Sequence, residues 1–330
     1  MKRIATLVAV LMVLVFVVGS TPAPAAQAQA TKPLVMYMQM GGDPGMASVT
    51  ARVSGAKQAA KDLNVELHEQ YASWDPQKMI DQFKQAIAAK PDCIEIMGHP
   101  GEDAMGPLVD QAEAAGIEVT SGNNDMPTIE AKYQSVGFGY AGADLHAGGY
   151  RVGKALLAAG LKKGDKAMIY DIWNQQLRAR SAQGIYDALT EAGVVVDKVP
   201  VTQDVDSDAT KAIPIITAYL TAHPDLKAIG TQHGQITDIL PKILKQAGKK
   251  PGDIMLTGID IGADTIQGLK DGYIVAVFDQ VLYLQGYYPL QQCVLTKTLK
   301  IPGLHIDTGI SVATPQNIDA IIPLVQQGLR

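Results

Sequence analysis

The chain has 330 residues, a formal net charge of −5 and 47% hydrophobic content. That length suggests about two domains with ample core. The mild acidity makes nucleic acid and anionic lipid poor partners.

Lys2 and Arg3 open a basic segment, Ile4 to Val18 is an apolar run, and Thr21 to Ala30 is a small-residue stretch ending Ala28-Gln29-Ala30. This is the layout of a secretory signal peptide cleaved near Ala30. Its apolar run of about fifteen residues falls short of the roughly twenty that span a bilayer. Losing Lys2 and Arg3, and no acid, moves the formal charge from −5 to −7. No Cys stands at the new terminus to carry a lipid, so the mature chain is expected free in a periplasm-like compartment. ATP and nicotinamide cofactors are scarce there, which removes most enzyme readings.

Leu34 to Met40 reads as a strand running into Gly41-Gly42, and Met46 to Leu63 as a helix. Met36, Met38 and Met40 fit a packed strand. Val65 to Gln70 is strand-like. Asp75-Pro76 is an N-cap followed by Pro at the first helical position. Met79, Ile80, Phe83 and Ile87 then recur at helical spacing. Cys93 to Met97 is a strand, Ala104 to Ala115 a helix, and Gly116 to Thr120 a strand. The glycine-rich stretch from Val136 to Gly142 precedes a helix from Ala143 to Leu161.

The rhythm then repeats. Strands are expected at Lys166 to Asp171, Val194 to Val201, Leu226 to Gly230, Ile254 to Gly258 and Tyr273 to Phe278. Helices are expected at Leu177 to Ala192, Ala209 to Thr221, Ile236 to Gln246, Ala263 to Asp271 and Val281 to Thr296. Short apolar strands alternating with helices argue for parallel sheets covered on both faces. Two such runs argue for an α/β fold of two doubly wound, Rossmann-like lobes. Cys93 and Cys293 are expected to be buried free thiols, with a disulfide allowed by the compartment.

Open parallel sheets bind ligands beyond the carboxyl ends of their strands. Those positions hold Gln39, Gly42 and Asp43; Ser121 to Asp125; Trp173, Asn174 and Gln175; Asp206 to Asp208; Gln232 and His233; Asp260; and Asp279 and Gln280. Amides and carboxylates can engage adjacent hydroxyls in pairs, and a flat aromatic face can cover the C–H face of a pyranose. The set matches a neutral, hydroxyl-rich ligand. The bland reading is that loops are polar and that Asp43, Asp75 and Ser207 cap helices.

At these residues the chain resembles the periplasmic sugar-binding proteins of the ribose/galactose type, the solute receptors of ABC importers (periplasmic binding protein type 1). The resemblance runs through Leu220 to Ile229, Thr231-Gln232-His233, Thr257-Gly258-Ile259-Asp260, Gly272 to Ala276 with Gln280, and Val312 to Ile318. It implies ligand roles for Asp43, Asn123, Asn124, His233, Asp260 and Gln280. It also implies an Arg at the start of the helix after the first strand of the second lobe, with Arg180 preferred to Arg178. Gly45-Met46 follows Pro44 where ribose binders carry an aromatic pair, so Met46 joins the set beside Gln39, and Trp173 is the candidate stacking face. The resemblance further implies three crossings between lobes, near Gly137 to Gly139, Asp279 to Gln280, and Thr308 to Ser311. The lobes would then be 31–137 plus 281–309 and 138–280 plus 310–330. The function implied is capture of a monosaccharide or related polyol by hinge closure, without cofactor or metal, for delivery to an ABC permease.

Rival motifs are weaker. Gly137-Phe138-Gly139-Tyr140-Ala141-Gly142 matches the dinucleotide fingerprint in letters, yet follows a complete βαβα run instead of opening one. Asp204-x-Asp206-x-Asp208 begins like a calcium loop but has Ala209 at the turn glycine and Ile215 at the bidentate Glu. An exported carbohydrate-active α/β enzyme, with Asp43 and Asp260 as paired carboxylates, and a ligand-presenting subunit of a membrane sensor are the alternatives.

Overall fold

A computed structural model describes residues 32–330, so the expected signal peptide of residues 1–30 lies outside the described residues. The first run is β1 (Leu34–Gly41), α1 (Ala47–Leu63), β2 (Val65–Tyr71), α2 (Pro76–Ala89), β3 (Cys93–Met97), α3 (Glu102–Ala114), β4 (Glu118–Asn123), α4 (Pro127–Tyr133) and β5 (Tyr140–Gly142). The second is α5 (Leu145–Ala158), β6 (Lys166–Asp171), α6 (Arg180–Glu191), β7 (Val195–Pro200), α7 (Gln203–Ser207), α8 (Ala212–Ala222), β8 (Leu226–Gly230), α9 (Gly234–Gln246), β9 (Met255–Ile259), α10 (Ala263–Lys270) and β10 (Ile274–Asp279). The chain closes with α11 (Leu282–Leu299), β11 (His305–Asp307), β12 (Ser311–Ala313) and α12 (Ile318–Gln326).

Two six-stranded sheets result, ordered β11-β5-β4-β3-β1-β2 and β12-β10-β9-β8-β6-β7. Every pairing is parallel except β12 on β10. Apolar runs make this possible, because a parallel strand buries both faces. All five residues of β3 are buried, and Met36, Met38 and Met40 are fully enclosed beneath α1 and α11. Asp75 caps α2 as expected, accepting from the amides of Gln77 and Lys78 at 2.8 and 3.1 Å, with Pro76 at N1. In both sheets the strand order reverses beside the first strand of the run, at β1 and β3 and at β6 and β8. Such a reversal opens a crevice at the carboxyl ends.

The chain passes from the first sheet to the second after Gly142, returns after Asp279, and passes again between β11 and β12. The sequence expectation puts the first of these at Gly137 to Gly139, but Tyr140 to Gly142 stand in the first sheet, since β5 pairs with both β4 and β11. The glycines of this stretch serve close packing instead of a joint. A Cβ on Gly139 would lie 1.7 Å from Gln292 Oε1, and that amide donates to Tyr140 O and accepts from Leu304 N.

The free-thiol expectation is also overturned. Cys93 in β3 and Cys293 in α11 form a disulfide, with Cα atoms 6.1 Å apart and a sequence separation of 200. The reason is topological. α11 follows the second sheet in sequence but packs on α1 over the first, which brings the distant cysteine over β3.

Candidate functional site

The carboxyl ends of both sheets face one another across a cleft. From the first lobe come Arg52, Trp74, His99, Asn123 and Asn124; from the second come Arg178, Gln232, His233 and Asp260; Gln280 stands on the second crossing.

Trp74 is placed by unusual backbone. Ser73 and Trp74 have φ of 52° and 59°, a left-handed conformation that costs a non-glycine residue energy and is found where function over-determines the site. The indole lies against Gly41 and Gly42. A Cβ on Gly41 would meet Trp74 Cζ3 at 2.4 Å, and one on Gly42 would meet Cε2 at 2.6 Å. His99 stacks on the indole with centroids 5.6 Å apart and planes 18° apart. The Arg178 guanidinium, from the opposite lobe, sits 6.0 Å from the ring centroid.

A hydrogen-bonded chain then crosses between lobes. His99 Nε2 is 2.9 Å from Asn123 Oδ1. Burial first, and the Arg178 charge second, push the imidazole down to about 3, so it is neutral near pH 7. Its Nε2–H must donate to the amide oxygen, which leaves Nδ1 as an acceptor. Asn123 donates to Gln280 Oε1 at 3.3 Å, and Gln280 donates to Asp260 Oδ1 at 2.9 Å. Thr308 on the third crossing donates to Gln280 O at 2.8 Å, so two of the three crossings are tied together behind the site.

The charges of the cleft are internally matched. Arg52 pairs with Glu95, both fully buried. Arg178 makes a two-pronged pair with Asp206 at 2.7 and 2.9 Å, and His233 Nε2 donates to the same carboxylate at 2.9 Å. Burial works to raise the Asp206 carboxyl, yet the Arg178 and His233 hydrogen bonds outweigh it and hold it well below the ordinary range. Each cleft arginine thus has a carboxylate beside it. Arg52 Nε and Nη1, His99 Nδ1, both amide atoms of Asn124, and His233 Nδ1 are nevertheless buried without a protein partner. A buried polar atom left unpaired costs about 1–3 kcal/mol, so these donors and acceptors mark where a polar ligand would bond.

Asp260 (φ 65°) and Asp171 are both pushed up to about 7 by burial; the Asp279 charge adds to this for Asp260, and the Gln280 hydrogen bond opposes it. Glu113 and Glu118, at the base of the first lobe, are likewise raised by burial to about 7 and about 8. An unfolded carboxylate titrates near 4. Between pH 4 and about 7 the folded protein therefore holds protons that the unfolded chain has lost, and stability falls as pH rises through that window. The unliganded melting temperature is expected to be higher at pH 5 than at pH 8. Asp260→Asn should flatten part of that slope; a slope of the opposite sign would refute the assignment.

Of the sequence-derived set, Asn123, Asn124, His233, Asp260 and Gln280 line the cleft. Five others do not. Gln39 is buried beneath it, donating to Met79 O at 2.7 Å and accepting from Met97 N at 3.0 Å. Asp43 accepts from Ser73 Oγ at 2.7 Å. Met46 is the N-cap residue of α1 and packs with the first-lobe core. Trp173 packs with the second-lobe core, with Lys198 Nζ 4.3 Å from its ring centroid. Arg180 pairs with Asp125 of the opposite lobe, at the rim, while Arg178 turns inward. Arg52 and Trp74 are cleft residues that sequence reasoning missed, His99 stood outside the expected ligand set, and Arg178, the alternative to Arg180, takes the inward place. Trp74→Ala is expected to weaken ligand binding roughly tenfold to a hundredfold, since truncating a central anchor typically costs about 2 kcal/mol or more. Trp173→Ala should leave it within twofold; titration calorimetry on the two variants decides.

Two doubly wound lobes joined by three crossings, with polar strand ends and a stacked indole facing a shared cleft, define a clamshell ligand-binding protein. Residues 49–295 match the periplasmic binding protein domain, and the chain belongs to that family. It is similar to a xylose/arabinose-binding protein of Sulfolobus acidocaldarius, 28% identical over 259 residues, covering 74% of this chain and 60% of that protein. It is also similar to the ribose import binding protein of Salmonella typhimurium, 25% identical over 283 residues, covering 85% of this chain and 88% of that one. Among solved structures, a carbohydrate transporter from Acidothermus cellulolyticus bound to myo-inositol superposes with a TM-score of 0.78 at 22% identity, over 90% of this chain and all of that one. A solute-binding protein from Burkholderia graminis bound to D-arabinose gives 0.75 at 23% identity, over 87% and 96%. At these identities the structural likeness establishes the fold.

Proposed function

We propose that this protein is an exported solute receptor. It captures a neutral monosaccharide or polyol between its lobes and hands it, unchanged, to an ABC permease. The observation that carries this reading is the set of buried, unpaired donors and acceptors on Arg52, His99, Asn124 and His233 facing one cleft beside Trp74. A sugar hydroxyl both donates and accepts, so a ring carrying several satisfies such a mixed set, and its C–H face covers the indole. The carboxylate beside each cleft arginine favours an uncharged guest. The sugars named for the relatives, xylose, arabinose and ribose, point the same way.

Closure supplies the mechanism. The lobes touch at Arg180–Asp125 and Arg178–Trp74, and the ligand must bind this closed form better than an open one for closure to be driven. The paired-carboxylate enzyme reading loses support, because Asp43 accepts from Ser73 and does not line the cleft with Asp260. A melting-shift screen of pentoses, hexoses and polyols tests the proposal, with chromatography of the recovered sugar. At least one sugar should raise the melting temperature and come back intact. A panel without any shift, or a sugar recovered as product, would overturn it.

A further inference from the structure

Beside the inner cleft lies a second chamber of about 380 Å³. Its walls come from both lobes: Ala47 and Ser48 at the start of α1, the turn at 207–210, the first residues of α9, and Gly262. Ser48, Gly234, Gln235 and Asp260 line both spaces, so the two are neighbours across one shared wall. That wall is thin, because Gly234 has no side chain there. The side chains of Ser48 and Gln235, one from each lobe, make no hydrogen bond among the described residues.

We infer that the outer chamber is a second sugar subsite, so that the protein also takes a disaccharide or glycoside, with its first ring in the inner cleft and its second passing over Gly234. The inference rests on the sugar-binding reading of the inner cleft. Its own support is the character of the outer wall. Ala47, Ala209 and Ile239 offer apolar surface to a ring face, while Thr210, Asp208 and Asp238 offer oxygen partners to its hydroxyls. Three carboxylates, counting Asp260, make the chamber unsuited to a phosphate or acidic substituent, so the second unit is an uncharged ring. Ser48 and Gln235 are placed to bond the linkage between rings, and because they belong to opposite lobes, such bonds would favour closure.

The test is calorimetric titration of the full mature chain with three pairs: D-xylose and xylobiose, D-glucose and cellobiose, D-galactose and lactose. At least one disaccharide should bind tenfold or more tighter than its monosaccharide. Ser207→Trp, at an exposed wall position, and Ile239→Trp each fill the chamber. Either should remove that advantage while leaving monosaccharide affinity within twofold. Monosaccharides that bind as tightly as every disaccharide, or tryptophan variants that keep the disaccharide advantage, would overturn the second subsite and leave the inner site standing. Failure of all six sugars to bind would overturn both readings.

Discussion

Asp260→Ala is expected to remove about two-thirds of the sugar-induced stabilisation while leaving the unliganded protein close to its original melting temperature. Asp260 is the acceptor at the end of the His99–Asn123–Gln280 chain, with Oδ1 held by Gln280 and Oδ2 turned toward Gly234. A hydrogen bond to a buried carboxyl contributes about 0.5–1.5 kcal/mol, and more when the group is ionised, so losing two weakens binding by up to roughly a hundredfold. With ligand at about a thousand times the original dissociation constant, stabilisation is about 4 kcal/mol; after a hundredfold loss it is about 1.4 kcal/mol. The empty protein should change little because two effects oppose. Alanine in the left-handed conformation costs about 1 kcal/mol, and removing a carboxyl that burial holds near 7 relieves desolvation. A variant whose sugar-induced shift equals that of the native chain would sink the assigned role. A large fall in the unliganded melting temperature would mean that Asp260 is structural.

Reduction should have the largest effect on stability. The Cys93–Cys293 bridge closes a separation of 200 residues, and for so long a loop the chain-entropy treatment gives about 5 kcal/mol, while native disulfides typically contribute about 2–5. At about 2–4 °C per kcal/mol for domains somewhat smaller than this chain, a phosphine reductant is expected to lower the melting temperature by roughly 10 °C. The Cys93→Ala/Cys293→Ala variant should melt at the lowered temperature with or without reductant. Neither cysteine lines the cleft, so sugar affinity at room temperature should stay within twofold. A native chain indifferent to reductant would contradict the bridge.

The alternation of strands and helices was legible because parallel strands spell themselves as apolar runs, as Cys93 to Met97 does, and because caps such as Asp75-Pro76 are local. Strands β5, β11 and β12 were not legible. Each is three residues long, and β5 and β11 are held by neighbours distant in sequence. The same divide runs through the site. Asn123, Asp260 and Gln280 follow strand ends directly and could be read off. The choice between Arg178 and Arg180 could not, since it turns on Asp206, which lies 28 residues from Arg178. Trp74 was hidden by a left-handed turn three residues past its strand; the Gly41-Gly42 pair that seats its ring was the available signal. The disulfide depended on where α11 packs, which no local pattern contains.

The interleaved path of the chain also sets an order of assembly. Strands β6 to β10 are contiguous, but their sheet lacks its β12 edge until residues 311–313, and the first sheet lacks its β11 edge, and its core the α11 cover, until residues 282–307 have arrived. A polypeptide threaded outward from its amino end would therefore leave both sheets without an edge strand until its final segments arrive. Closure of the Cys93–Cys293 disulfide then marks the docking of α11 on the earliest-delivered half.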